Sequence, residues 1–167
     1  MSTIRTVRPG DRAAIRMVEA SAFGRDDEAD LVDALVAAGD AVLELVAEQD
    51  GQIVGHILFT RLGVRGHAQD ASAVALAPLA VLPQFQNGGI GGALIKEAHG
   101  LLRGRGESLS VVLGDPAYYG RFGYRHDRAS RFDSVFQCKE LMALAWGEAP
   151  VGGRLVYPPA FGPEASA

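Results

Sequence analysis

Apolar positions recur along the chain with two periods, and the switches between them mark the elements. Ile4 and Thr6 alternate against Arg5, which predicts a short first strand over residues 3–8. Pro9-Gly10-Asp11 breaks it, and Asp11 is placed to cap the helix that follows, where Ile15, Val18 and Ala22 fall at helical spacing. A second helix is expected over 27–38, with Leu31, Leu35 and Val36 on one face and Gly39 as its stop. Residues 43–48 alternate as a strand and 53–60 as its return. The Asp50-Gly51 pair between them suits the positive φ angles of a type I′ turn. Residues 61–70 read as a polar excursion around Gly63 and Gly66. Residues 74–82 are apolar on both faces, as a central covered strand would be, and Pro83 ends them. A helix carrying Ile90, Leu94, Ile95, Ala98, Leu101 and Leu102 follows, stopped by Gly104-Arg105-Gly106. Residues 109–113 form another apolar strand, Gly114-Asp115-Pro116 turns the chain, and a short helix holds Tyr118 and Tyr119. Strand-like pieces lie near 124–132 and 140–146, and the tail from 147 to 167 ends in a Pro-rich element at 157–161 and a polar end that is expected to fray. The order β-α-α-β-β-β-α-β-α-β-β predicts an α/β fold on a sheet that is only partly parallel.

Composition narrows the class. The chain has 167 residues, 48% hydrophobic and 22% charged, which is one globular domain's worth of core. The domain is taken as 1–167, with its core at about 3–146. A net charge of −4 argues against a general nucleic-acid binder. The single Cys138 excludes an internal disulfide, and it reads as a small buried hydrophobe. His67, His99 and His126 show no ligand spacing with one another or with Cys138, so no metal is expected. The stretch 71–83 is too short to span a bilayer, and no signal peptide is evident. A cytoplasmic protein without membrane or nucleic-acid partners is the expectation, either monomeric or homodimeric.

The chemistry concentrates in residues 76–95. A buried strand feeds Gln84-Phe85-Gln86-Asn87-Gly88-Gly89-Ile90-Gly91-Gly92, which opens a helix. Glycines let the backbone approach a ligand, and a helix start offers unpaired N–H groups with a partial positive charge. Together they make a site for phosphate or pyrophosphate. A Walker loop fails because Ala93 follows Gly92 where Lys is needed. A dinucleotide fingerprint on Gly89 and Gly91 meets Leu94 at its third glycine, yet an oxidoreductase using such a cofactor stays open on these residues. So does a catalytically silent binding module.

Two longer blocks carry a resemblance. Leu76-Ala77-Pro78-Leu79-Ala80-Val81-Leu82-Pro83 through Gly91, with Gln86-x-x-Gly89-x-Gly91 inside it, is similar to the acyl-CoA loop of the GNAT N-acetyltransferases. Val111-Val112-Leu113-Gly114-Asp115-Pro116-Ala117-Tyr118-Tyr119-Gly120-Arg121-Phe122-Gly123-Tyr124 resembles the bacterial YhbS-like branch of that superfamily. Val54-Gly55-His56-Ile57-Leu58 and Tyr157-Pro158-Pro159-Ala160-Phe161 do so too. The resemblance covers most of residues 3–161. It implies a single-domain GNAT-like fold, with a mixed, mostly antiparallel sheet flanked by helices. It also implies acetyl-CoA as cosubstrate and direct acetyl transfer to a primary amine on a small molecule or peptide. The backbone of Leu79, Ala80 and Val81 would meet the pantetheine arm. Gln86 and the N–H groups of Asn87, Gly88, Gly89, Ile90, Gly91 and Gly92 would meet the pyrophosphate. Asp115 and Tyr118 would lie by the cofactor, and Tyr119, four residues before Gly123, would protonate the departing thiolate. Asn87-Gly88 stand where many members carry a cation.

Attack on a thioester needs a neutral amine, and a lysine-like amine is neutral in only about 1 in 2,500 molecules at pH 7. A base is therefore expected, with Glu19, Glu28 and His56 as candidates and Glu28 and His56 preferred. Residues 25–50 hold nine acids and one base, an acidic stretch suited to drawing in a cationic amine.

Overall fold

The computed structural model describes residues 2–66 and 71–167. The strands are β1 (Thr3–Thr6), β2 (Ala41–Gln49), β3 (Gln52–Arg65), β4 (Ala73–Val81), β5 (Leu109–Leu113), β6 (Phe132–Asp133), β7 (Leu141–Ala145) and β8 (Gly153–Val156). The helices are α1 (Arg12–Phe23), α2 (Asp27–Ala37), α3 (Ile90–Gly104), α4 (Pro116–Tyr119) and α5 (His126–Ala129). Hydrogen-bonded strand order is β1-β2-β3-β4-β5-β7, with β8 pairing β3 and β6. β1/β2 and β5/β7 are antiparallel and β4/β5 is parallel, the mixed sheet that the element order predicts. The chain divides into two compact units, Met1–Phe59 with Ala77–Leu101, and Thr60–Leu76 with Leu102–Ala167.

In the first unit the Asp50-Gly51 turn has φ of 51° and 77°, as a type I′ hairpin demands. Asp11 behaves differently from expectation. Its carboxylate accepts from Arg8 N at 2.7 Å and from Arg5 Nη1 and Nη2 at 2.7 and 3.0 Å. It thus closes the 3-10 turn Pro9–Asp11 and gives α1 no side-chain cap. α1 buries Ile15 and Val18, as its spacing indicates, and also Glu19. α2 is rotated from the expected face. Ala29, Val32 and Leu35 are buried, while Leu31 and Val36 are only half-buried. The small Ala29 lets the helix seat on that side, a preference that a count of large apolar residues misses. Gly55 of β3 is a close-packing site, since a Cβ there would stand 3.1 Å from both Ile90 Cγ2 and Leu94 Cδ1 of α3.

The second unit corrects the sequence reading most. Residues 61–65 are strand, not an excursion: β3 runs on to Arg65, with Leu62 buried, and Gly63–Arg65 pair antiparallel with Val156–Arg154 of β8. The rest of the expected excursion, including His67, lies outside the described residues at 67–70. Arg61 makes a two-pronged ion pair to Glu107 at 2.8 and 3.0 Å, which holds its charge at the strand edge. The expected strand at 124–132 is mostly helix α5, and only Arg125 bridges to Ala143 before it. The polar end of the tail does not fray either. β8 belongs to the tail, Tyr157 and Ala165 are buried, and Tyr157 N donates to Ala165 O at 3.0 Å. Tyr157 packs edge-on to Phe136 at 5.0 Å and against Phe161 at 5.2 Å, which ties the tail to the core around Leu109, Leu141 and Leu155.

Candidate active site

In the first unit the site is built on the end of β4. The parallel ladder to β5 ends at Leu76↔Val112, and β4 runs on to Val81, so Leu79, Ala80 and Val81 lie past that ladder. Pro78 has no N–H to give to a ladder. Pro83–Phe85 then form a 3-10 turn, and Gln86 Nε2 donates to Val81 O at 2.9 Å. The Gln86 side chain therefore pins the loop to its strand, so its link to a pyrophosphate would come through loop shape. Asn87 and Gly89 both take the left-handed conformation, φ 65° and 87°. Asn tolerates it and glycine favours it. The first bond of the helix runs from Ala93 N to Gly89 O at 3.0 Å, so the amides of Ile90, Gly91 and Gly92 stand ahead of the helical ladder. A cleft of about 590 Å³ adjoins this opening, lined by Gln49, Gln84, Gln86, Gly88, Gly89 and Ala93 among others. The chain offers no Lys or Arg from 82 to 95. The arrangement fits an anionic diphosphate held by backbone amides and the helix dipole.

In the second unit Asp115 caps α4. Its carboxylate accepts from Ala117 N at 2.9 Å and Pro116 occupies the first helical turn. That is a positioning task, and it sets Tyr118 and Tyr119 on a helix of four residues. Tyr119 stacks edge-on to Tyr118 at 5.0 Å and to Tyr124 at 6.0 Å. Its ring lies over Gly114, where a Cβ would overlap Cε2 and stand 2.9 Å from Cδ2. The hydroxyls of the two central tyrosines differ. Tyr124 is fully buried and shares a 2.7 Å hydrogen bond with Ser110. Among the described residues no hydrogen bond reaches the Tyr119 hydroxyl. Burial raises the Tyr119 pKa above the ordinary phenol value, and the neighbouring Tyr118 adds to the rise. Tyr119 therefore holds its proton throughout the neutral range. Tyr118 instead carries the Arg121 guanidinium 4.8 Å from its ring centre.

Of the two preferred bases, both in the first unit, His56 is wholly buried. Its Nδ1 lies 2.7 Å from Glu19 Oε2 and its Nε2 2.7 Å from Glu44 Oε2. Neither ring nitrogen is left to accept a substrate proton. Glu28 is bonded by Arg25, which holds its carboxyl below the ordinary glutamate range against the opposing effect of burial. Arg12 and Glu44 were not legible as site residues. Their one signal is a charge set where the flanking pattern turns apolar, as Glu44 is between Leu43 and Leu45. Six of the nine acids in 25–50 are ion-paired with arginine: Asp27 and Glu28 with Arg25, Asp30 and Asp33 with Arg16, Glu44 with Arg12, and Glu48 with Arg5. The attraction for a cationic amine is correspondingly narrower than composition suggests. Cys138 is exposed, contrary to its expected burial, because it sits in the turn before β7. Among the described residues no cluster of His, Cys, Asp or Glu is placed to hold a metal, and no helix is long and apolar enough to cross a membrane.

Comparison with known proteins places this geometry. Residues 41–126 match the acetyltransferase (GNAT) domain. The chain is 44% identical over 116 residues to YjhQ of Escherichia coli strain K12, an uncharacterized N-acetyltransferase. That match spans 68% of this chain and 64% of YjhQ. It is 36% identical over 146 residues to the uncharacterized N-acetyltransferase YhbS of the same strain, covering 83% of this chain and 86% of YhbS. Among solved structures, a GNAT family acetyltransferase from Brucella melitensis in complex with acetyl-CoA superimposes with a TM-score of 0.82 at 38% identity, covering 96% and 98% of the two chains. YhbS of Escherichia coli in complex with CoA gives 0.86 at 30%, covering 96% and 91%. The matched domain contains the glycine-opened helix, the Gly114–Tyr124 block and the β-hairpin before them, and this chain belongs to the GNAT acetyltransferase family.

Proposed function

We propose that this protein is an acetyl-CoA-dependent N-acetyltransferase that passes the acetyl group directly to a primary amine, with Tyr119 as general acid. The observation that carries the reading is the opening of α3. Left-handed Asn87 and Gly89 turn the amides of Ile90, Gly91 and Gly92 out ahead of the helical ladder. That arrangement suits a diphosphate, and the Brucella and Escherichia structures hold acetyl-CoA and CoA. Acetyl-CoA supplies an activated thioester. The Leu79–Val81 backbone would hydrogen-bond the pantetheine arm, since the β5 ladder stops short of it. Tyr119 keeps its proton because burial disfavours the phenolate, and its hydroxyl is uncommitted among the described residues. It would donate to sulfur as the carbon–sulfur bond breaks and recover a proton from solvent. The acceptor amine gives up its own proton to the surroundings. Of the three candidate bases only Glu28 presents an ionised, partly exposed carboxylate, since Glu19 is buried against His56 and both nitrogens of His56 are engaged.

Calorimetric titration with acetyl-CoA, run beside NAD, tests the cofactor, and a thiol-release assay over a panel of amines tests the chemistry. Saturable binding of acetyl-CoA alone is expected. Tyr119→Phe should keep that affinity and lose roughly 10²–10⁴-fold in turnover. Binding of NAD alone would overturn the reading, and a Tyr119→Phe variant with full turnover would remove the general acid.

A further inference from the structure

α1 carries Arg12 and Glu19 seven residues apart, two helical turns, so both project from one face. Glu44 of β2 and His56 of β3 meet them there. Four side chains make one hydrogen-bonded chain that runs inward from the partly exposed Arg12: Arg12 Nη2 donates to Glu44 Oε1 at 2.7 Å, Glu44 Oε2 meets His56 Nε2, and His56 Nδ1 meets Glu19 Oε2. His56 and Glu19 are completely shielded from solvent, and Glu44 nearly so. All four belong to the first unit.

Counting hydrogens gives the state of this chain. Each 2.7 Å nitrogen–oxygen contact needs one hydrogen between the atoms. A neutral imidazole carries one N–H, and a carboxylate carries none. Two contacts therefore require one proton more than a neutral ring flanked by two carboxylates. Both ring nitrogens face a carboxylate oxygen, and the bonds to Glu19 and Glu44 outweigh burial at His56, so the proton is assigned to the ring. With it the charges of Arg12, His56, Glu19 and Glu44 sum to zero, the condition under which buried ions are tolerated. Without it a ring lone pair faces a carboxylate lone pair and the set carries a net negative charge.

We propose that the His56 imidazolium is a latch, fastening α1 to β2 and β3 through one buried proton, and that loss of this proton at alkaline pH releases α1. Burial alone would lower the proton affinity of His56, but its bonds to Glu19 and Glu44 outweigh burial and raise it. Burial raises Glu19, and the nearby charge of Glu28 on α2 adds to that. Glu44 is lowered, because the bonds from His56 and Arg12 outweigh its burial, and so remains the ionised end. These are the charged groups that face the chain: Glu19 and Arg12 from α1, Glu44 from β2 and Glu28 from α2. A folded-state affinity above the ordinary imidazole value means that the stabilisation is complete below about pH 6.5 and is lost as pH rises through the higher folded value. The inference does not rest on the acyl-transfer reading.

The test uses the intact protein labelled with ¹⁵N-histidine. His56, recognised by slowly exchanging ring protons, should show both nitrogens protonated at pH 8, where exposed histidines are neutral. Amide exchange in α1, corrected for the intrinsic base-catalysed rate, should lose at least tenfold in protection across the alkaline transition of His56, while α3 keeps its protection. Glu44→Gln, which preserves shape and removes one carboxylate, should move that transition at least one pH unit lower. A ring with a single N–H at pH 7 would overturn the proposal. So would α1 protection that stays level with that of α3 from pH 6 to 10, a result readable on the wild-type protein even where Glu44→Gln fails to fold.

Discussion

Tyr119 depends on a residue that has no side chain. The ring occupies the space that a Cβ on Gly114 would take, and Gly114 is the last residue before the Asp115 cap. Overpacking at such a contact costs typically about 1–3 kcal/mol, relieved by tilting the ring. Gly114→Ala should therefore lower kcat by on the order of 10–100-fold, as a steady-state thiol-release assay would show. Its affinity for acetyl-CoA should stay near wild type by calorimetry. In a Tyr119→Phe background the same substitution should cost little more in kcat, because both changes act on one hydroxyl. A full additional loss in the double variant would mean that Gly114 serves something other than the position of Tyr119.

At the level of elements, α3 sits against β3 through Gly55, whose two closest neighbours are the Ile90 and Leu94 side chains of the first turns of the helix. Gly55→Val would push that helix opening outward. A loss of about 1–3 kcal/mol in urea melts is expected, together with weakened acetyl-CoA binding, since the amides that precede Ala93 move with the turn. Unchanged binding in the destabilised variant would separate the helix opening from the cofactor. The sequence shows such elements unevenly. β5, the Asp50-Gly51 hairpin, β4 and α3 were legible because each has a strong local signal: an unbroken apolar run, a turn that needs positive φ, a proline stop or a full helical stripe. The end of β3 was hidden because Gly63 and the charged Arg61 and Arg65 read as loop, although their partners in β8 and Glu107 make them strand. α5 was misread because four residues are too few for a helical period to show. The loop from Gln86 to Gly92 and Tyr119 could be named from motif and resemblance. The Arg12–Glu44–His56–Glu19 chain could not, since its members lie on three elements and only the tertiary fold brings them together.

Across the whole chain, the last residues are structural. Tyr157 is 6% exposed, packs edge-on to Phe136 and against Phe161, and donates a backbone bond to the buried Ala165. Ending the chain after Val156 removes an aromatic core residue, a loss of about 3–5 kcal/mol for Phe- or Trp-sized deletions. The truncated protein should melt at least 10 °C lower by circular dichroism, on the scale of about 2–8 °C per kcal/mol for domains of this range. An unchanged melt would mean that the residues after Val156 add nothing to the core. The cation-free stretch from Leu82 to Ile95 has a different consequence, one that concerns the medium and not the fold. A site that grips an anion with lysines or arginines loosens as salt screens them, over a Debye length of about 10 Å at 0.1 M. On the proposed reading, fixed peptide dipoles would meet the ligand at contact distance, while the −4 net charge of the protein opposes an anionic donor from afar. Added salt screens the repulsion and leaves the short-range attraction, so this protein's hold on an acyl donor should be level or tighter in brine.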